Sequence, residues 1–413
     1  MGDRLLPGVL SGGFPALAQR IHDQPLAYLD NAATTQMPLA VLDAMREFET
    51  RDRANIHRGV HSLSQRATDA YEAARRTIAR FAGAGPAHEV VFASGTTEAL
   101  NLVAHGLSDN GIGQAWLRPG DEIVVSALEH HANLVPWQAA ARRGGATLKV
   151  LLPDAQGRID EAGLARLLTP RTRVFALTAC ANATGYCPPY AALLERAKRA
   201  GALTVLDAAQ AASHALPAID TLACDFIAFS GHKMYGPMGT GVLVGRRDAL
   251  ELLAPLRLGG DMVERVGLSD ASFAPLPARL EGGTPNVGGA VGMAAAAAFI
   301  DGIGRDLIDA HVAELRRAAA AGLAALPGVR VLAADEPATG IVSFVAEGAH
   351  PHDIGTLLDE QGIAVRTGHH CAQPLLDHMG LGPTTRASFA LYNTLAEVVR
   401  LIDGVDRALT VLR

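Results

Sequence analysis

Five short apolar runs, each ending at a polar group, constrain this chain more than any other feature. They are Val90-Val-Phe-Ala93 before Ser94-Gly-Thr-Thr-Glu98, Glu122-Ile-Val-Val-Ser126 before a histidine pair, and Val174-Phe-Ala-Leu-Thr178 before Cys180-Ala-Asn182. Leu203-Thr-Val-Leu206 before Asp207 and Phe226-Ile-Ala-Phe229 before Ser230 complete the set. Near-continuous apolar runs suit strands that are covered on both faces, and segments of helical spacing such as 190–200 can supply the cover. The alternation predicts an α/β fold with a mainly parallel central sheet flanked by helices. Chemistry in such sheets gathers outside the carboxyl ends of the strands, where these polar residues fall.

At 413 residues the chain is too long for one ordinary domain, so two lobes are expected. Its 49% apolar content is ample for two cores. A net charge of −6 argues against a nucleic-acid footprint, and no Lys/Arg block suggests a membrane patch. The longest uncharged apolar stretch, Asn286 to Asp301, falls short of the ~20 residues a span needs and reads as a buried helix. Residues 1–24 contain scattered charges and prolines, so mature cytoplasmic sequence is expected.

The character changes near Val287, where an Ala-rich helical region begins and runs to about Leu326. Short strands are expected at 341–345 and around 363–366, then a helix over 395–412. The expected division is a large domain over 28–286, a smaller C-terminal α+β lobe over 287–413, and a segment 1–27 packing with that lobe. Gly106 to Gly120 reads as a loop. Cys180, Cys187, Cys224 and Cys371 form no Cys-x-x-Cys pair, and free thiols are expected.

Lys233 lies in Ser230-Gly-His-Lys-Met-Tyr-Gly-Pro237, on the turn after a strand. A lone loop lysine would be a surface residue. Beside a serine and a histidine at a strand end, it can instead form a Schiff base with a phosphate-bearing carbonyl cofactor whose phosphate the neighbours hold. Gly95-Thr96-Thr97 opens a helix, which gives either an ordinary cap or a phosphate site with free N–H groups. Asp207 could bond a protonated ring nitrogen or cap a helix, and Gln210 could bond a phenolic oxygen or complete a capping box. His130 could stack on a cofactor ring and move protons. A metal reading of His130 and His131 is weak because adjacent side chains diverge, and no metal is expected. Asn182 is a further candidate contact. Arg366-Thr-Gly-His-His-Cys-Ala-Gln-Pro374 is polar and carries Gly and Pro, so Cys371 is expected on a loop, where Arg366, His369 and His370 could favour its thiolate.

In order, Gly-Thr-Thr-Glu98, Glu129-His-His-Ala-Asn133, Asp207-Ala-Ala-Gln210, Ser230-Gly-His-Lys-Met-Tyr-Gly-Pro237, Gly283-Thr-Pro-Asn286 and Arg366-Thr-Gly-His-His-Cys-Ala-Gln-Pro374 resemble the cysteine desulfurases of the SufS/CsdA type. The resemblance runs from about Tyr28 to the C-terminus. These are class V aminotransferase-like, fold-type I PLP-dependent transferases, also described as selenocysteine lyases.

The resemblance implies pyridoxal 5'-phosphate (PLP) as cofactor, with Lys233 as its Schiff-base lysine. It implies Asp207 as partner of the ring nitrogen, Gln210 of the ring oxygen, and His130 as the stacking residue. Thr96, Thr97, Ser230 and His232 would hold the phosphate, and Thr284 would reach that of the neighbouring subunit in a homodimer. Arg386 would clamp the substrate carboxylate, with Asn182 and Arg366 as further substrate contacts. The implied reaction takes L-cysteine to L-alanine through a persulfide on Cys371. A SufE/SufU-like acceptor protein would receive the sulfur for iron–sulfur cluster assembly. Selenocysteine lyase activity, or transamination or epimerisation on the same fold, is the alternative. The chain departs from the family pattern at Cys180-Ala-Asn-Ala-Thr-Gly-Tyr-Cys187, at a longer 106–120 segment and at Leu280-Glu-Gly-Gly-Thr284.

Overall fold

The computed structural model describes residues 13–109, 115–334 and 336–413. Its centre is a seven-stranded sheet with β1 (His88–Ala93), β2 (Glu122–Ser126), β3 (Thr147–Leu151), β4 (Thr172–Thr178), β5 (Leu203–Asp207), β6 (Phe226–Ser230) and β7 (Gly241–Arg246), in the order β1-β7-β6-β5-β4-β2-β3. Pairings among β3, β2, β4, β5 and β6 are parallel, while β7 runs antiparallel to both its neighbours. The expected mainly parallel sheet is therefore present. Alternate residues of one strand feed opposite cores. Phe226 and Ala228 pack with Trp137 and Leu100, whereas Ile227 and Phe229 pack with Ile78 and Leu194. Both faces are covered, as continuous apolar runs require.

Helices α1 (Leu39–Arg51) and α2 (Ser62–Phe81) precede β1, and α3 (Thr96–Ser108) follows it. Further cover comes from α4 (Val135–Gly144), α5 (Glu161–Leu167) and α6 (Tyr190–Arg199). The Ala-rich region is two helices rather than one. α7 (Val287–Ile303) and α8 (Arg305–Ala324) meet at Gly304, whose φ of 102° allows a bend of 81°. α7 packs against α1 and α2. No single helix among the described residues is long and apolar enough to cross a membrane. Residues 106–108 belong to the last turn of α3, which corrects the expected start of the 106–120 loop; residues 110–114 lie outside the described part.

A second sheet has the order β8 (Val329–Val331), β9 (Ile341–Ala346), β11 (Thr384–Ser388), β10 (Arg366–Gly368), all antiparallel. α8 packs against β8 and β9, α9 (Pro351–Asp359) packs against β10 and β11, and α10 (Leu395–Leu412) packs on α8 and α9. α10 begins at the expected position because Thr394 and Glu397 form a reciprocal capping box. Near the start of the chain, Ala27–Tyr28 pairs in parallel with Ile363–Ala364, and Phe14 is buried against Tyr235, Phe299 and Tyr392.

β7 touches the turn before α3. A Cβ on Gly241 would lie 2.4 Å from the Gly95 Cα. Gly241→Ala is therefore expected to push the Gly95 turn outward and lower stability by about 1–3 kcal/mol, read by chemical denaturation. An unchanged midpoint would contradict this close packing.

Candidate active site

The carboxyl ends of β4, β5 and β6 and the first turn of α3 open onto a cavity of about 250 Å³. Thr96, Thr97, His130, Asn182, Asp207, Gln210, Ser230, His232, Lys233, Arg366, Cys371 and Arg386 all line it. Thr284 does not. It is exposed at a second cavity of about 220 Å³, with Ser94, Glu98 and Arg257, on the other side of the same turn.

One end of the main cavity is built for an anion. The Ser230 hydroxyl accepts the Thr96 N–H at 2.7 Å and lies 2.7 Å from the Thr96 hydroxyl, which ties β6 to the start of α3. Helix N-termini of this kind present N–H groups without intrahelical acceptors and carry positive dipole character. His232 stands beside them, and burial lowers its pKa to about 4, so it is a neutral donor. Its carbonyl accepts the Thr35 N–H at 2.8 Å, fixing the turn that carries Lys233.

Burial lowers the Lys233 amine to about 8, against the attraction of Asp207. Asp207 is buried at the end of β5, and desolvation raises its pKa. Its Oδ1 accepts the Ala209 N–H at 2.9 Å within a turn, so it caps no regular helix. Gln210 donates to the Ala32 carbonyl at 3.0 Å rather than completing a capping box. His130 Nδ1 accepts the Ala132 N–H at 3.0 Å, which leaves the neutral ring's proton on Nε2. Its pKa falls to about 4, first by burial and then by the Lys233 charge.

The opposite end is cationic. Arg386 rises from β11 and is 2% exposed. It donates to the Asn182 carbonyl at 2.8 Å and to Asp30 at 3.3 Å. Burial lowers its pKa to about 10, so it stays a cation at neutral pH. Arg366 lies 3.8 Å from the other Asp30 oxygen. Sequence reading missed Asp30, which is remote in the chain and carries no motif of its own. It also missed Glu129, a buried carboxyl that accepts from Ser126, Asn133 and the Thr178 N–H behind His130. Burial pushes Glu129 up to about 8.

Cys371 is exposed at the cavity. His370 and Cys371 have φ of 53° and 56°, two successive left-handed residues that cost energy unless their surroundings impose them. Three contacts do so. The Cys371 carbonyl accepts the His131 N–H at 2.8 Å, the His370 carbonyl accepts from Asn182 at 2.6 Å, and the His370 ring bonds the Thr384 hydroxyl at 2.8 Å. Burial drives His370 down to about 3, so it brings no positive charge to Cys371, contrary to the expectation from sequence.

Buried polar atoms without partners converge here. Asn182 Oδ1, His370 Nδ1 and Arg386 Nε have none among the described residues. Such atoms point to a polar ligand. An amine, a buried carboxylate opposite it and an anion cradle fit a phosphorylated aldehyde; the arginine fits a carboxylate.

The aminotransferase class-V family model matches residues 27–401. A probable cysteine desulfurase 2 of Mycobacterium leprae is 49% identical over 386 residues, covering 93% of this chain and 92% of that one. A cysteine desulfurase of Dickeya dadantii is 44% identical over 395 residues, with 95% and 94% coverage. The crystal structure of the cysteine desulfurase CsdA from Escherichia coli superposes with a TM-score of 0.89 at 40% identity, covering 99% of this chain and all of that one.

Thr384→Val would leave the buried His370 ring without its partner. The expected result is a loss of about 1–3 kcal/mol in stability and faster alkylation of Cys371 by iodoacetamide. Unchanged alkylation would mean that His370 does not pin the loop.

Proposed function

The chain belongs to the class-V aminotransferase family, with cysteine desulfurases as near full-length relatives, and from that premise we propose a PLP-dependent cysteine desulfurase with its persulfide on Cys371. The observation that carries this reading is the position of Cys371, pinned in a left-handed pair on the cavity that also holds Lys233, Asp207 and Arg386. An aminotransferase or epimerase would need no thiol there.

When bound, pyridoxal phosphate supplies an aldehyde that joins amines and a ring that takes up the electron pair released as substrate bonds break. Lys233 Nζ would hold that aldehyde. Asp207 would keep a proton on the ring nitrogen, Gln210 would face the ring oxygen, and His130 would stack on the ring. Ser230, His232, Thr96 and Thr97 would hold the phosphate. Arg386 binds the cysteine carboxylate as a fork, with Arg366 and Asn182 beside it. Lys233 Nζ, when free as an amine, would take the proton from the substrate Cα and return one later. His130, with its ring proton on Nε2, would donate a hydrogen bond to the substrate sulfur and so favour loss of the thiol proton. Cys371 Sγ would bond to the substrate sulfur as the S–Cβ bond breaks; the electron pair goes to the carbon fragment, whose Cβ takes up a proton, so alanine and a Cys371 persulfide result. Exposure of Cys371 suits transfer to an acceptor protein, for which a SufE/SufU-like partner in iron–sulfur cluster assembly is proposed. Thr284, which does not line its own chain's cavity, is proposed to serve the site of a second subunit in a homodimer. L-cysteine, rather than L-selenocysteine, is the proposed main substrate, in a cytoplasmic setting.

Cys371→Ala is expected to abolish both alanine release from cysteine and protein persulfide. Turnover at the wild-type rate would rule out the persulfide route. Borohydride reduction followed by peptide mapping should label Lys233 alone.

The Lys233 amine attacks an aldehyde only as the free base. With its pKa lowered to about 8, the rate at which stripped protein recaptures pyridoxal phosphate should rise about tenfold per pH unit below that value and level off above it. Stopped-flow absorbance measures this, and a flat profile between about pH 6 and pH 9 would be incompatible with the assignment.

A further inference from the structure

The stretch that departs from the family pattern folds back on itself at the cavity wall. The Ala181 N–H donates to the Tyr186 carbonyl at 2.8 Å and the Gly185 N–H to the Ala181 carbonyl at 2.7 Å. This reverse turn brings the Cys180 and Cys187 sulfurs to 2.8 Å, closer than ordinary non-bonded sulfur atoms approach, while both remain free thiols. Cys180 is 4% exposed and lines the cavity; Cys187 is partly exposed. Each end of the turn is anchored. The Thr178 hydroxyl donates to the Cys180 carbonyl at 2.9 Å, and the Cys187 N–H donates to the Pro337 carbonyl at 2.8 Å.

We propose that Cys180 and Cys187 are a reversible dithiol–disulfide site that controls the carboxylate clamp. The oxidant is a small disulfide of the glutathione class. Cys187 gives its proton to solvent and its Sγ attacks one sulfur of that disulfide, forming a mixed disulfide and releasing one thiolate. Cys180 Sγ then gives its proton to that thiolate and attacks Cys187 Sγ, expelling the second thiolate, which takes a proton from solvent. Two protein thiols are oxidised and one small disulfide is reduced to two thiols. The division of labour suits the site. The contact with Cys180 lowers the pKa of Cys187, the sulfur nearer solvent, and the contact with Cys187 raises that of Cys180.

A covalent bond shortens the sulfur separation from 2.8 Å to about 2.05 Å and fixes its dihedral. Asn182 sits inside the loop that must tighten. Its carbonyl holds Arg386 and its amide holds the His370 carbonyl, so oxidation displaces the partner of the clamp and a support of the Cys371 loop together. This consequence for substrate rests on the desulfurase reading; the dithiol chemistry does not.

The test has two arms. A chain with Cys224→Ala and Cys371→Ala retains Cys180 and Cys187 as its cysteines. Treated with oxidised glutathione, it is expected to lose two hydrogens by intact mass, carry no glutathione, and revert with dithiothreitol. Adding Cys180→Ser should instead trap a stable glutathione adduct on Cys187. Retention of both thiols, or a stable adduct while Cys180 is present, would overturn the site.

In the second arm, L-alanine binding to the holoenzyme is followed by cofactor absorbance, because a thiol substrate would reduce the disulfide. Oxidation is expected to weaken binding by about tenfold, reversibly, and to leave binding by Cys187→Ser unchanged. Equal affinity in both redox states would overturn control of the clamp. Absence of alanine binding in either state, with the disulfide formed, would count against the desulfurase reading and leave the dithiol site standing.

Discussion

A buried cation joins the separate parts of this molecule. Arg386 comes from the second sheet, Asp30 from the N-terminal segment, and the Asn182 carbonyl from the loop after β4 of the main sheet. Removing an arginine from water is costly unless its donors are satisfied, so the three segments must meet for any to be stable there. Arg386 Nε has no partner among the described residues, so this satisfaction is incomplete, which is the state expected of a group kept for a ligand. The placement of Arg386 and the mutual placement of the two sheets are thus one physical problem with one solution.

The remaining charges follow from burial. His130, His232 and His370 are all driven well below neutral pH, so the imidazoles around the cavity are uncharged. Positive charge is left to Arg386, Arg366 and, in part, Lys233. Neutral histidines can donate and accept without repelling those cations. Asp207 and Glu129 lie behind the strand ends, where desolvation raises both pKa values. The site is therefore a cationic end and an anion cradle separated by neutral side chains.

The sheet was legible because strands buried on both faces need unbroken apolar runs, and β2, β5 and β6 have them. β3 and β7 escaped notice. β3 is an edge strand with exposed positions, and β7 is bounded by glycine and arginine rather than by a catalytic group. The cavity residues were legible because strand ends concentrate them. Asp30 was not, since its contact with Arg386 spans 356 positions and only the folded chain reveals it. The Cys180–Cys187 contact was equally invisible, because the turn rather than a motif spacing brings the thiols together.

The pairing of Ala27–Tyr28 with Ile363–Ala364 makes the chain close on itself. The Leu29 N–H donates to the Ala364 carbonyl and the Ser388 N–H to the Leu29 carbonyl, so the strand leading into Asp30 lacks these two partners until nearly the whole chain exists. During synthesis the main sheet emerges first, with Lys233 already made and Arg386 still missing. The cavity therefore gains its cationic end late. A chain truncated before β11 would retain the amine-bearing strand ends without Arg386, the buried cation of the same cavity.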